Sequence, residues 1–451
     1  MAKLNQIDRR RWIQSAGMGM LGVSTSGWLP AFAEKLAADP RRTRHCILLW
    51  MGGGPSQMDT FDMKPDHENG GEFKEIASNV PGIRFSEHLP QLAKQADQLA
   101  IVRSLKTKEG DHGRGTHLMR TGKPPLGIER YPAIGAALAK HLATPTLKLP
   151  PYVSVAPFRG INNEAFGPGF LGPKYAPLVV GATSMNALQA EGEAAEGEAT
   201  FAELKVDALS PPGGVSQSQM KSRLELWKTL ENRFNAQHPN ETIRAHQSVY
   251  DNALQMIESD AADAFNLSEE DDVVREAYGK GMFGQGCLLA RRLVERGVPF
   301  VEVALNNLST GGLGWDTHAN NFDTVKNLST ELDAGWATLM TELKDRGLLE
   351  STTIIWMGEF GRTPKINGAA GRDHFPQAWT CVLAGGGIAG GQAYGRTSAD
   401  GMTVEEDEAS VGEVLATLCA ALGVPPETQN MSNTGRPIEI VDDTPIARLL
   451  A

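Results

Sequence analysis

Residues 44–51 read Arg44-His45-Cys46-Ile47-Leu48-Leu49-Trp50-Met51, and Gly52-Gly53-Gly54-Pro55-Ser56-Gln57-Met58-Asp59 follow directly. The first stretch is a continuous apolar run after a basic start, the pattern of a central strand buried on both faces. The glycines end it and let the backbone turn sharply toward a ligand. In an open α/β sheet, ligands bind outside the carboxyl ends of the strands. Polar residues crowded just past this strand therefore mark a candidate site.

The same arrangement recurs along the chain. Further strands are predicted at 99–105, 152–155, 300–305, 352–357 and 379–384, and helices at 218–236, 243–264, 284–296, 321–346 and 411–422. Alternating strands and helices predict an α/β fold, a doubly wound, mostly parallel sheet with helices on both faces. Residues 160–214 break the rhythm, first Gly- and Pro-rich, then acidic at Glu191, Glu193, Glu196, Glu198 and Glu203. They read as an insertion ending in a solvated acidic loop.

The N-terminus reads as an address. Arg9-Arg10-Arg11-Trp12-Ile13 is a twin-arginine pattern, a mildly apolar uncharged stretch follows, and Ala31-Phe32-Ala33 fits a cleavage site. The expected organisation is a signal peptide over 1–33 and a single domain over 34–451, periplasmic or secreted. Removing 1–33 takes the formal net charge from −11 to −14. An acidic surface argues against nucleic acid as a partner. No later apolar stretch approaches the roughly 20 residues needed to span a bilayer. The four cysteines, Cys46, Cys287, Cys381 and Cys419, form no C-x-x-C pair, which excludes a zinc knuckle. They read as buried thiols, with no pairing legible.

Four polar clusters follow apolar runs. For Ser56, Asp59 and Asp62 the residues leave metal or anion binding and helix capping both open. In Asp111-His112-Gly113-Arg114 and His117, imidazole is a common metal ligand and Arg114 suits an anion. In Trp315-Asp316-Thr317-His318, Asp316 and His318 lie two apart and share one side of an extended segment. In Gly358-Glu359-Phe360-Gly361-Arg362 and Arg372-Asp373-His374, Arg362 can fork an oxyanion or pair with Glu359. Adjacent Asp373 and His374 point apart, toward two ions or toward one ion and a substrate group.

Several longer stretches carry a family resemblance. They are Gly-Gly-Pro-Ser-Gln-Met-Asp-Thr-Phe-Asp at 53–62, His-Gly-Arg-Gly-Thr-His-Leu-Met-Arg-Thr-Gly at 112–122, Gly-Pro-Gly-Phe-Leu-Gly-Pro-Lys-Tyr-Ala-Pro-Leu at 167–178, Gly-Trp-Asp-Thr-His at 314–318, Gly-Glu-Phe-Gly-Arg-Thr-Pro at 358–364 and Gly-Arg-Asp-His-Phe-Pro at 371–376. Together they resemble the domain-of-unknown-function 1501 family. That family looks like a branch of the alkaline phosphatase and sulfatase superfamily, with its doubly wound sheet and two-metal hydrolytic site. The resemblance implies metal ligands at Asp59, Asp316, His318, Asp373 and His374, and one or two divalent ions (zinc, manganese or calcium). Two departures stand out. His112 occupies the place of the superfamily's hydroxyl or modified-Cys nucleophile, and no His follows His374, with only Glu413 near the corresponding late position.

The sequence thus predicts an exported metal-dependent hydrolase of phosphate or sulfate esters acting on an anionic small molecule or glycan. His112 would be nucleophile or general base, and Arg114 and Arg362 would orient the anion. The second reading is a non-catalytic envelope binding protein that keeps the fold and a metal.

Overall fold

The computed structural model describes residues 45–181, 201–206, 216–237, isolated helical positions between 247 and 256, 260–306 and 313–451. The signal segment, the acidic positions 191–198 and most of the helix expected over 243–264 lie outside the described residues.

Among the described residues, eight strands form one sheet. In chain order they are β1 (His45–Trp50), β2 (Leu99–Leu105), β3 (Tyr152–Val155), β4 (Leu178–Val180), β5 (Phe300–Ala304), β6 (Thr352–Met357), β7 (Trp379–Gly385) and β8 (Gln392–Tyr394). Their spatial order is β8-β2-β7-β6-β1-β5-β3-β4. β1 lies at the centre, parallel to β5 with Leu48 opposite Glu302, and parallel to β6 with Leu48 opposite Ile355.

Only β7 runs against its neighbours, β2 and β6. The reason is the connection from β6, which has no crossover helix. It stays at the carboxyl edge and folds into a short antiparallel ribbon pairing Gly361–Arg362 with His374–Phe375. A chain that has not crossed back must return antiparallel. The outer strands β4 and β8 are three residues each, which limits the unpaired backbone at the sheet's edges. β4 corrects the expectation for 160–214, because part of that segment joins the sheet parallel to β3.

Alternation along β1 splits the core into two layers. Ile47 and Leu49 face the first, with Leu288, Leu293, Leu332 and Trp336. Cys46, Leu48 and Trp50 face the second, with Ile134, Leu138, Leu415 and Cys419. The covering helices are α1 (His112–Thr121), α2 (Ile134–Leu142), α3 (Met282–Glu295), α4 (Asn321–Asp345) and α5 (Val411–Ala421). α2 is a helix the sequence reading missed; its small residues let it sit close to the sheet, and a side chain at Gly135 would strike Phe300 and Tyr152.

Local signals set the helix ends. α5 opens on a capping box in which Ser410 and Glu413 satisfy each other's backbone amides. Glu413 is thereby committed to a helix start. α4 closes on Gly347 at φ 69°, with Gly347 N–H donating to Lys344 O and Leu348 N–H to Leu343 O, a Schellman arrangement. All four cysteines are free and buried, and burial pushes the Cys419 thiol up to about 12. No helix among the described residues is long and apolar enough to cross a membrane.

Trp336 is fully buried on α4 and meets Phe61 edge-on. Trp336→Ala is expected to cost about 3–5 kcal/mol, read as a lowered urea midpoint with the slope of the transition unchanged.

Candidate metal centre

The parallel strands β1, β2, β5 and β6 end at the same edge, and the loops leaving them build the centre. The backbone holds these loops in register. Trp315 N–H donates to Gly52 O at 3.1 Å, Arg372 N–H to Thr317 O at 2.8 Å, and Thr363 N–H to Asp373 O at 2.8 Å. Gly53, at φ 108°, lies directly under Asp316, where a side chain would collide with the Asp316 amide.

Asp316 is the hub. Its Oδ2 lies 3.3 Å from His112 Nε2. Its Oδ1 lies 3.1 Å from His318 Nε2 and 3.3 Å from His374 Nε2. The two latter Nε2 atoms are 3.0 Å apart. Each imidazole has its other nitrogen engaged. His112 Nδ1 meets Glu359 Oε1 at 2.7 Å, His318 Nδ1 meets Asp373 Oδ1 at 2.8 Å, and His374 Nδ1 meets Gly110 O at 2.8 Å. Carboxylates and carbonyls accept only, so these contacts assign the proton of each neutral ring to Nδ1 and leave a lone pair on Nε2.

Acceptors thus converge on acceptors. Three Nε2 lone pairs and a carboxylate meet with little between them but Arg362, whose Nη2 reaches Asp316 Oδ1 at 2.6 Å. His112 Nε2 is buried and has no hydrogen-bond partner, because its approach to Asp316 lacks hydrogen-bond geometry. Such a cluster is stable around a cation. Ligands placed tetrahedrally at the 2.0–2.2 Å typical of zinc lie about 3.3–3.6 Å apart, and the separations of 3.0–3.3 Å around Asp316 are of that order. His112, Asp316 and His374 each offer a ligand atom within 4.8 Å of the others, and His318 stands beside them, half exposed. The carboxylate or carbonyl behind each imidazole is the outer shell that orients metal-bound histidine.

The electrostatics agree. Burial works against a charged His112, but the carboxylates of Asp316 and Glu359 against its two nitrogens outweigh it and push the group up to about 9. Burial would raise Asp316; its close contacts with His112 and His374 and the Arg362 charge hold it far below the usual carboxylate range.

The structure brings together His112, Asp316, His318 and His374, with Asp373 one step out on the far side of His318. Adjacent Asp373 and His374 both reach the His318 ring, Asp373 at Nδ1 and His374 at Nε2, and Asp373 also accepts from Asn367 Nδ2. Asp59 stands elsewhere. It is fully buried, and both its oxygens are taken by Arg372, at 2.8 and 3.0 Å, with Asn321 Nδ2 adding 2.8 Å. Arg114 is exposed and forks onto Glu109 at 2.5 and 2.8 Å. Arg362 is in the cluster, but its guanidinium is spent on Gly54 O, Gly53 O, Arg372 O and Asp316. It is a clamp between the β1 turn and Asp316, leaving no fork for an oxyanion. His117 packs near Tyr131, away from the cluster.

His112 is the first residue of α1, just past Asp111, whose side chain caps the helix by accepting from Arg114 N–H. The sequence reading gave His112 a reacting role; its surroundings are those of a ligand. Glu359 is one of the two partners the sequence leaves open for Arg362. It instead accepts from His112 and, at 2.9 Å, from Gly53 N–H. Arg372 and Asn321 were missed. The arginine next to Asp373-His374 was the available signal, but neither its burial nor its distant carboxylate partner is visible in sequence.

These features define an α/β protein with a histidine-rich candidate metal centre at the carboxyl edge of its sheet. The chain belongs to the family described as Protein of unknown function (DUF1501), whose model matches residues 43–450. No curated protein matches it in sequence. Among solved structures it is similar to the PsFucS1 sulfatase from Pseudoalteromonas sp. (13 % identity, 87 % of this chain and 70 % of that one, TM-score 0.39). It is also similar to the alkaline phosphatase from the Antarctic bacterium TAB5 (11 %, 85 % and 98 %, 0.36) and to the lipoteichoic acid synthase LtaP from Listeria monocytogenes (10 %, 90 % and 77 %, 0.38).

The raised His112 value sets a pH dependence. Its folded value lies above the unfolded reference of about 6.5, so its stabilising effect on the metal-free protein is full below about pH 6.5. That effect fades as pH rises through about 9. A metal must expel the same proton, so apparent zinc affinity is expected to climb with pH up to about 9. Glu359→Gln should lower the His112 titration midpoint, measured by NMR of the metal-free protein.

Proposed function

We propose that the protein is an exported metal-dependent hydrolase of phosphate or sulfate esters, using a mononuclear centre held by His112, Asp316, His318 and His374. The observation that carries this reading is the meeting of three imidazole Nε2 atoms on one carboxylate, each ring braced from behind. Imidazole-rich sets suit zinc and its neighbours, whereas calcium takes six to eight oxygens. Among the ions the sequence suggested, zinc fits best, with manganese behind it and calcium disfavoured. The occupation of Asp59 by Arg372 supports a single ion.

A bound ion would supply Lewis acidity toward an ester oxygen. The chain's own residues have distinct tasks. Glu359, Asp373 and the Gly110 carbonyl hold the Nδ1 protons and so present Nε2 inward. Arg362 fixes Asp316 and the glycine turn together. Phe360, buried, lies beneath His112 and His374 with ring centres 5.0 and 4.6 Å away, and closes the floor to water. Arg362 and Arg114 being paired, the ion itself would be the main attraction for an anionic small molecule or glycan ester. The twin-arginine pattern supports periplasmic or secreted placement, and export of the folded chain would let the ion be loaded beforehand.

One observation favours the non-catalytic envelope binding protein. The hydroxyls next to the ligands are committed: Thr317 Oγ1 donates to Asn321 Oδ1 at 2.6 Å, and Thr363 Oγ1 to Lys365 O at 2.9 Å. Metal analysis and a substrate panel separate the readings. The hydrolase predicts about one zinc per chain and turnover of an aryl phosphate, phosphodiester or sulfate, both lost in Asp316→Ala and His374→Ala. Stoichiometric zinc with no turnover on the whole panel would assign the protein to the binding class instead.

A further inference from the structure

Below the metal centre lies a second polar cluster that the proposed chemistry does not use. Asp59, Arg372, Thr317 and Asn321 are all buried. Arg372 Nε and Nη2 grip the two oxygens of Asp59, and Asn321 Nδ2 adds a third hydrogen bond to Oδ2. Asn321 Oδ1 in turn accepts from Thr317 Oγ1 at 2.6 Å. The remaining guanidinium hydrogens go to the carbonyls of Asn69, Thr363 and Pro364.

The sequence positions give this cluster its meaning. Thr317 lies between Asp316 and His318. Arg372 immediately precedes Asp373 and His374, and its own N–H donates to Thr317 O at 2.8 Å. One buried carboxylate therefore fastens, through two partners, the two segments that carry three of the four ligands. Without it, those segments would be joined mainly by backbone contacts at a partly exposed rim.

We propose that Asp59, Arg372, Asn321 and Thr317 form a positioning network that sets the separation of Asp316 and His318 from His374, and so the affinity and coordination geometry of the centre. The network rests on the metal-centre reading above. Asp59 is a positioning residue in it, facing a guanidinium where an ion would otherwise compete. A planar bidentate pair suits this task, because its two parallel hydrogen bonds fix direction as well as distance.

The test uses the full chain and cobalt(II) and zinc as probes. Zinc affinity is read by competition with a chromogenic chelator, geometry by the cobalt d–d absorption bands, and stability by the melting temperature of the metal-free protein. Asp59→Asn keeps the side-chain shape but removes the charge that holds Arg372. It should weaken zinc by about 10–100-fold, the usual effect of losing an outer-shell partner, and alter the cobalt bands. Thr317→Val is milder and should shift both in the same direction, and it decides the matter if Asp59→Asn does not fold.

Thr417→Val is the control, removing an equally buried hydroxyl on distant α5 that donates to Glu413 O and accepts from Ile446 N–H. It should lower the melting temperature while leaving zinc affinity and the cobalt spectrum at wild-type values. Folded Asp59→Asn and Thr317→Val proteins with wild-type affinity and spectrum would overturn the network alone, as would a Thr417→Val protein that loses zinc to the same degree. A wild-type chain that takes up neither ion would overturn the metal-centre reading and the network with it.

Discussion

The structure around the sheet's carboxyl edge turns on a mismatch of polarity. His112, His318 and His374 each aim Nε2 at Asp316, and each is prevented from turning away by an acceptor at its other nitrogen. Lone pairs meeting at about 3 Å repel unless positive charge lies between them. A proton can supply part of that charge, which is why His112 holds its proton so tightly in the metal-free chain. A divalent ion supplies all of it at once, and the two compete for the same lone pair.

The rest of the fold can be seen as what keeps that arrangement from relaxing. Gly53 allows the backbone of Asp316 to approach, and Gly54 that of Phe360. Arg362 spends its guanidinium on the turn after β1, on Asp316 and on the Arg372 carbonyl. The ribbon that follows β6 puts His374 directly opposite Arg362, and the same ribbon forces β7 to run antiparallel. The one irregularity in an otherwise parallel sheet is thus a consequence of how His374 reaches the centre. Residues that a sequence reader would give to substrate, Arg362 above all, have been spent on holding the protein's own carboxylate in place.

Much of this was legible in the chain. The run His45–Met51 announced a central strand, and the alternation of strands and helices gave the sheet's class. Asp316, His318 and His374 could be singled out because acidic and imidazole residues just past apolar runs have few other reasons to cluster. Misreadings fell where a residue's partner is remote in sequence. Asp59 looked like a ligand until its guanidinium partner, 313 positions away, was in view. Arg114 looked free until Glu109 was seen to hold it. α2 escaped notice because a small-residue helix leaves little periodic signal, and β4 because three residues carry none.

What the sequence determined by itself is local chemistry. It specifies which segments are apolar on both faces, where glycine permits a turn, where Ser410 and Gly347 begin and end helices, and which loops carry imidazole and carboxylate. These follow from side-chain shape and hydrogen bonding within a few residues. Which carboxylate meets a cation and which meets an arginine was decided only by tertiary structure, since Asp59 and Asp316 are the same residue type in similar loops. Their difference lies in what the packed sheet delivers to each, a buried bidentate guanidinium in one case and three converging imidazoles in the other.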